Sequence, residues 1–235
     1  MTKPVGYGCS LKLQWLNRTV QLLEETSSGE EMKNALNEYL SYEIDKDTRL
    51  RKTREILMNI WYYDHPNMAP FRKQAISLIK EFPEYDSAIH LCMIYLAYPV
   101  VADVGRYMGK LFEYYDEITN TILRQKLYDE WGERGTLQTT SRRVTLTLKE
   151  LGILKPVSRV RYKLCKQIIT DDRVAAFLLY VAMKLDGDSY YAVSSLADLP
   201  YLFPFNIQIN RDILMTDSRF ILSCYDSTLN ISILK

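Results

Sequence analysis

Along the first half of the chain, apolar residues recur at intervals of three and four, the spacing that gathers side chains on one side of an α-helix. In SLKLQWLNRTVQLLEE, Leu11, Trp15, Leu16, Val20 and Leu23 form such a stripe, with Ser10 placed as an N-cap. SSGEEM opens a second helix whose inward positions are Met32, Leu36, Tyr39 and Leu40. A third runs from Asp47 to Tyr63, with Leu50, Ile56, Leu57, Ile60 and Trp61 inward, until HPNMAP breaks it. The fourth, from Ala69 to Phe82, stops at Pro83, and the fifth spans Glu84 to Tyr98. A sixth follows Pro99 and carries Val104, Met108, Leu111 and Phe112. Short connections and the lack of a fixed repeat predict a compact bundle, not a solenoid.

The pattern changes after about Asp116. A helix is expected over 117–131, then a break at GERGTL. TTSRRVTLTLKELGILKP, residues 139–156, reads as a capped helix. Thr139, Thr140 and Ser141 are N-cap candidates, and Val144, Leu148 and Leu151 make a buried stripe. Gly152 sits where a helix-terminating glycine belongs. The outward face then shows Arg142, Arg143, Thr147 and Lys149. KPVSRVRYKLCKQII alternates basic and apolar residues as a strand or wing would, and DDRVAAFLLYVAMKL is a helix with Asp171 near its start. RFILSCY and TLNISIL, joined by Asp226-Ser227, predict a terminal β-hairpin. The expected fold is mainly α: an N-terminal helical bundle over 1–116 and a winged-helix-like α+β module over 117–235.

Charge sharpens this picture locally. The whole chain carries only +1, yet residues 139–166 hold eight basic residues against the single acid Glu150. A helix that follows another helix and a glycine-containing turn has the helix-turn-helix plan, which offers the start of its second helix to DNA. Arginines at a helix start gain nothing from the helix dipole, so an anionic partner explains them better. On this reading Arg142, Arg143 and Lys149 approach double-stranded DNA, and Thr140 and Ser141 donate to phosphates at the helix N-terminus. Arg159, Arg161 and Lys163 follow the backbone from the strand or wing. A second basic run, DTRLRKTRE, wraps Arg49, Arg51, Lys52 and Arg54 around a helix, so they cannot all face one way; it reads as a solvated face, with the alternative that two of them reach an anion or a neighbouring acidic face. Two other roles stay open. One is a scaffold docking proteins through Tyr62, Tyr63, Tyr114 and Tyr115. The other is a transcriptional regulator with one operator-like site.

Catalytic signatures are missing: no P-loop, GxGxxG, HExxH or GxSxG occurs. The four cysteines, at 9, 92, 165 and 224, have no metal or disulfide spacing, and the two histidines, His65 and His90, form no ligand pair. Asp171-Asp172 reads as a helix cap and His90 as a satisfied core residue. Cys165 follows a basic segment but has no histidine beside it to make it a nucleophile. These readings predict no enzyme activity, cofactor, metal or small-molecule substrate. The most apolar stretch, LCMIYLAYPVV, is too short for the roughly 20 residues that cross a bilayer. The opening residues lack a signal-peptide core. A cytoplasmic protein with no membrane association is expected.

Taken in order, GCSLKLQWLNRTVQLLEE, NEYLSYEIDKDTRLRKTREILMNIW, LYDEWGERGTLQTTSRRVTLTLKELGIL and DDRVAAFLLYVAMKL, with the terminal hairpin, resemble the BrxA family of BREX phage-defence systems. The likeness extends over nearly the whole chain. It is most specific at Trp131, Thr140, Ser141, Arg142, Arg143, Leu148, Gly152 and Leu154. It implies a small non-enzymatic component of a bacterial defence system that associates with DNA or with other BREX components. It also implies an N-terminal half similar to a helical RNA-binding antitermination fold.

Overall fold

The computed structural model describes residues 6–65, 68–132, 135–225 and 228–234, and over these the protein is mostly helical. Six helices build the first part: α1 (Leu13–Glu25), α2 (Gly29–Ser41), α3 (Asp47–Trp61), α4 (Ala69–Glu81), α5 (Asp86–Ala97) and α6 (Pro99–Phe112). Of the expected apolar stripes, Trp15, Leu16 and Val20 on α1, Met32, Leu36 and Leu40 on α2, and Ile56, Leu57, Ile60 and Trp61 on α3 are buried, whereas Leu23, Tyr39 and Leu50 are half-buried. Ser10 is not the first cap. Helix α1 begins only at Leu13, with Lys12 at the cap position and no side-chain cap bond. Ser28 does cap α2: its hydroxyl accepts from the Glu31 N–H at 3.2 Å, while Glu31 reaches back to the Ser27 N–H at 2.8 Å. That reciprocal pair satisfies amide groups the helix cannot use itself.

The apolar stretch 91–101 falls in α5 and the start of α6, where Pro99 occupies the first turn and so loses no helical hydrogen bond. No helix among the described residues is long and apolar enough to cross a membrane. Instead α5 is buried on every face, from Ser87 to Tyr95, and packs against α1, α3, α4 and α6. The break after α3 includes Pro66 and Asn67, which lie outside the described residues. Its near side is closed by Arg72 of α4. That buried guanidinium donates to the Asn59 and Ile60 carbonyls at 2.8 Å each and to the Tyr63 carbonyl, oxygens a helix end leaves unpaired.

The second part opens with a strand. Residues 117–131 were expected as one helix, but β1 (Glu117–Thr119) precedes α7 (Asn120–Trp131). Thr119 ends the strand and caps the helix, its hydroxyl accepting from the Ile122 N–H. Next come α8 (Gly135–Glu150), β2 (Leu154–Pro156) and β3 (Arg161–Leu164). The three strands form an antiparallel sheet in the order β1-β3-β2, with Ile118 opposite Tyr162 and Lys155 opposite Lys163. Of the GERGTL break, Glu133 and Arg134 lie outside the described residues.

Then follow β4 (Gln167–Ile169), α9 (Asp172–Asp186), β5 (Tyr191–Ala192), β6 (Phe205–Ile207), α10 (Arg211–Thr216), β7 (Phe220–Tyr225) and β8 (Thr228–Ile233). Asp171 caps α9 as expected, accepting from the N–H groups of Arg173 and Val174 at 2.9 and 3.1 Å. The hairpin is β7 with β8, paired from Phe220–Ile233 to Tyr225–Thr228; its turn, Asp226-Ser227, lies outside the described residues. Strand β5 joins this hairpin, and β4 pairs with β6 in parallel.

One hydrophobic cluster continues through the expected boundary near residue 116. Helix α9 lies on α5, and α6 packs on α7, α8 and β1. Close approach on α6 depends on two glycines. A Cβ at Gly105 would fall 2.3 Å from the buried Tyr95 hydroxyl, and one at Gly109 would fall 2.6 Å from the Pro200 carbonyl oxygen.

His90 sits in this core with only one ring nitrogen bonded. Asn17 donates its amide to Asp86 at 2.6 Å, which leaves its oxygen to accept from His90 Nε2 at 2.7 Å. Nδ1 has no partner among the described residues. Burial holds the imidazole down to a pKa of about 3, against an ordinary value of 6.5. The ring is therefore neutral when folded, whereas the unfolded chain takes up a proton below about pH 6.5. The stability this contributes is complete above that pH and is lost as pH falls toward 3. Lowering the pH from 8 to 5 should cost about 2 kcal/mol in urea unfolding, and His90→Asn should remove most of that loss. Gly105→Ala should cost about 1–3 kcal/mol by overpacking against Tyr95, read as a lower urea midpoint with an unchanged slope.

Candidate nucleic-acid interface

Helix α8 has two distinct faces. Leu137, Ser141, Val144 and Leu148 turn into the core, against α6, α7 and β2. Thr139, Arg142, Arg143 and Leu146, at steps of three and four, share the other face and line one surface cleft. Lys149, seven residues beyond Arg142, returns to the same side and is exposed. Gly152 ends the turn at φ +74°, a conformation that suits glycine, so the chain can reverse directly into β2.

The structure separates the sequence-predicted residues into two groups. Arg142, Lys149, Arg159, Arg161 and Lys163 are exposed and Arg143 is half-buried. Arg159 lies in the turn between β2 and β3, which the Val157 N–H closes on the Arg161 carbonyl at 2.9 Å. Arg161 and Lys163 alternate with the half-buried Tyr162 and Leu164, so both basic side chains leave the same face of β3. Arg161 lies 3.6 Å from Glu117 of β1. Such an exposed pair contributes little to stability and leaves the guanidinium available.

Thr140 and Ser141 belong to the other group. They are only 3% and 2% exposed and cannot donate to a phosphate. The helix starts at Gly135, a full turn earlier than its threonine-rich stretch suggested, so both residues lie inside it on the core side. Ser141 instead donates to the Gln138 carbonyl at 3.1 Å.

Thr147, expected on the outer face, is also buried, and it joins the chain start to α8. Its hydroxyl donates to the Arg143 carbonyl at 3.1 Å, then accepts from the Leu11 N–H at 3.0 Å and from the Tyr7 hydroxyl at 2.8 Å. Burial pushes the Tyr7 phenol well above its usual range, which keeps it a neutral donor. Tyr7 also meets Tyr98 edge to face at 5.3 Å between centroids.

This clamp lays residues 8–10 along the floor of the cleft. Its opposite wall is the start of α3. The cleft, of about 810 Å³, is lined by Lys46, Arg49 and Lys52 on one side and Arg142 and Arg143 on the other, with Asp45 and Asp47 the only acids in its lining. None of these five basic side chains forms an ion pair among the described residues. Arg49, Arg51 and Lys52 of the second basic run are solvent-exposed as expected, and Arg49 and Lys52 line the cleft together with the α8 arginines. Arg54 takes no part: it pairs with Glu55 at 2.6 Å and bonds Asn37 at 3.0 Å. Arg51 lines a neighbouring depression with Tyr63 and Tyr98. Arg49 and Lys52 share one face of α3 because they are three residues apart. That this face meets α8 was not visible in the sequence.

Other chemistry is sparse. All four cysteines are free, and among the described residues no group of three or more His, Cys, Asp or Glu side chains is placed to hold a metal ion. Tyr62 follows the end of α3, and the strongly exposed Tyr114 and Tyr115 follow α6. Tyr63 is only half-exposed and bonds Glu55 at 2.6 Å. The chain matches no protein-family model, no curated protein and no solved structure.

Replacing Thr147 by valine keeps the shape but leaves the Leu11 N–H and the Tyr7 hydroxyl buried without their acceptor. Thr147→Val should lower stability by about 1–3 kcal/mol in urea unfolding. Protection of the Leu11 amide in hydrogen exchange should fall further than that of α5 amides.

Proposed function

We propose that this protein binds double-stranded DNA mainly through phosphates, with α8 as the approaching helix and the β2–β3 hairpin as a wing. The observation that carries the reading is the outer face of α8. Arg142, Arg143 and Lys149 are presented there, without ion-pair partners among the described residues, next to a hairpin bearing Lys155, Arg159, Arg161 and Lys163. Topology supports it as well. The order α6, β1, α7, α8, β2, β3, with strands arranged β1-β3-β2, is compatible with a helix-turn-helix unit followed by an antiparallel wing. Burial of Thr140 and Ser141 removes two hydroxyl contacts from the proposed interface but none of its charge. What remains favours electrostatic positioning over base readout, because arginine and lysine on an open face meet the backbone of any sequence.

The resemblance to the BrxA family extends the proposal to a biological role: a non-enzymatic component of a BREX-type defence system, acting on DNA together with other BREX components. A protein-docking role for the same basic surface is the reading that remains if DNA does not bind.

Fluorescence anisotropy with a random-sequence duplex of about 30 bp tests the proposal. With about five phosphates neutralised, log K should fall with log[salt] at a slope of about −4 to −5. Arg142→Ala/Arg143→Ala should make that slope shallower by about two. Absence of binding at low salt, or a double variant that titrates like the unaltered protein, would rule out α8 as the contacting helix.

A further inference from the structure

We infer that the N-terminal bundle grips the same duplex, with one sugar-phosphate strand lying in the cleft between the start of α3 and α8, on Lys46, Arg49 and Lys52. The inference rests on the DNA reading of α8 and adds a second set of contacts to it. The two walls come from runs about 90 residues apart in sequence, at 46–52 and 139–146. Five cations share this one concave surface, against Asp45 and Asp47. Like charges in a cleft repel one another, and the low-dielectric walls focus their field outward, so the arrangement favours an anion between them.

Two details point to a phosphate strand. Hydroxyl donors stand among the cations, since Ser10, Thr48 and Thr139 line the same cleft. Such hydroxyls, with lysine and arginine, are the usual partners of DNA phosphates. The cleft is also continuous with the α8 face, because Arg142 and Arg143 belong to both. A strand flanking the groove that receives α8 would pass directly onto Arg49 and Lys52. The first turn of α3 opens here with no side-chain cap on its amides, which adds to the attraction without deciding it. The fate of α3's fourth cation strengthens the contrast. Arg54 leaves the cleft and is neutralised by Glu55, whereas Arg49 and Lys52 stay exposed and unpaired among the described residues.

The test compares Arg49→Ala/Lys52→Ala with the unaltered chain and with Arg142→Ala/Arg143→Ala, using the same 30-bp duplex across a salt series. Lys73→Ala/Lys80→Ala removes equal charge from α4, away from the cleft, and controls for net charge. Both cleft residues are exposed, so thermal unfolding of the variant should match the unaltered protein; Arg49→Gln/Lys52→Gln is the substitute if it does not. The expected result is binding about tenfold weaker near physiological salt, a slope shallower by about two, and no change in the α4 control. If the duplex binds the unaltered chain and the Arg49/Lys52 variant equally, or if the α4 control loses as much, the cleft holds no strand and the inference falls while the α8 reading stands. If the unaltered chain binds no duplex, both fall together.

Discussion

Everything in this fold is arranged around the need to cover α5. Its sequence, DSAIHLCMIYLA, is apolar all round, and a helix with no polar face is stable only when enclosed on every side. Helices α1, α3, α4 and α6 supply part of that enclosure, and α9, from the other end of the chain, supplies the rest. Each fully buried Leu, Ile or Met contributes about 1.5–3 kcal/mol relative to exposure. Removing any one wall would therefore forfeit several such contributions together. The two halves of the sequence are joined by this shared helix as well as by their linker. Polar groups inside must match it, and so His90 stays neutral while Arg72 spends its guanidinium on the carbonyls that end α3.

The basic cleft is a by-product of the same enclosure. Helix α3 is fixed because it covers α5, and α8 is fixed because it packs on α6, whose two glycines allow close contact with Tyr95 and Pro200. The Thr147 hydroxyl then ties Tyr7 and Leu11 to α8. Cations on the two walls are thus held by buried contacts far from the charges themselves. On the proposed DNA reading, a polyanion would meet long flexible side chains at the surface, on elements whose positions are set by the core.

Charge is segregated rather than abundant. A chain with a net charge of +1 still presents five cations around one cleft and four more on the adjoining β2–β3 hairpin. Some basic side chains elsewhere are paired, as Arg18 is with Glu25 at 2.7 Å and Arg106 with Glu130 at 2.6 Å. Pairing of this kind joins elements, whereas unpaired cations keep their field for a partner. The contrast gives the basic face meaning even though the total charge is nearly zero.

The helical order, the buried stripes and the Asp171 cap could be read from the sequence because each depends on residues within a turn or two. Periodicity needs only its own helix, and a cap needs only the next three residues. The same local reasoning identified Arg142, Arg143, Lys149 and the basic strand. It misplaced Thr140, Ser141 and Thr147 because threonine and serine serve equally well as caps and as buried bonded groups. Only the start of α8 at Gly135, with the distant partners Tyr7 and Leu11, decided which. Strand β1 escaped notice for a similar reason: three residues acquire strand geometry from pairing with β3, some forty positions away. The union of the 46–52 and 139–146 runs into one cleft was likewise beyond local reading. Sequence determined which residues are charged and which side of each helix they occupy; the packing of α3 and α8 around a common core decided that those sides face each other.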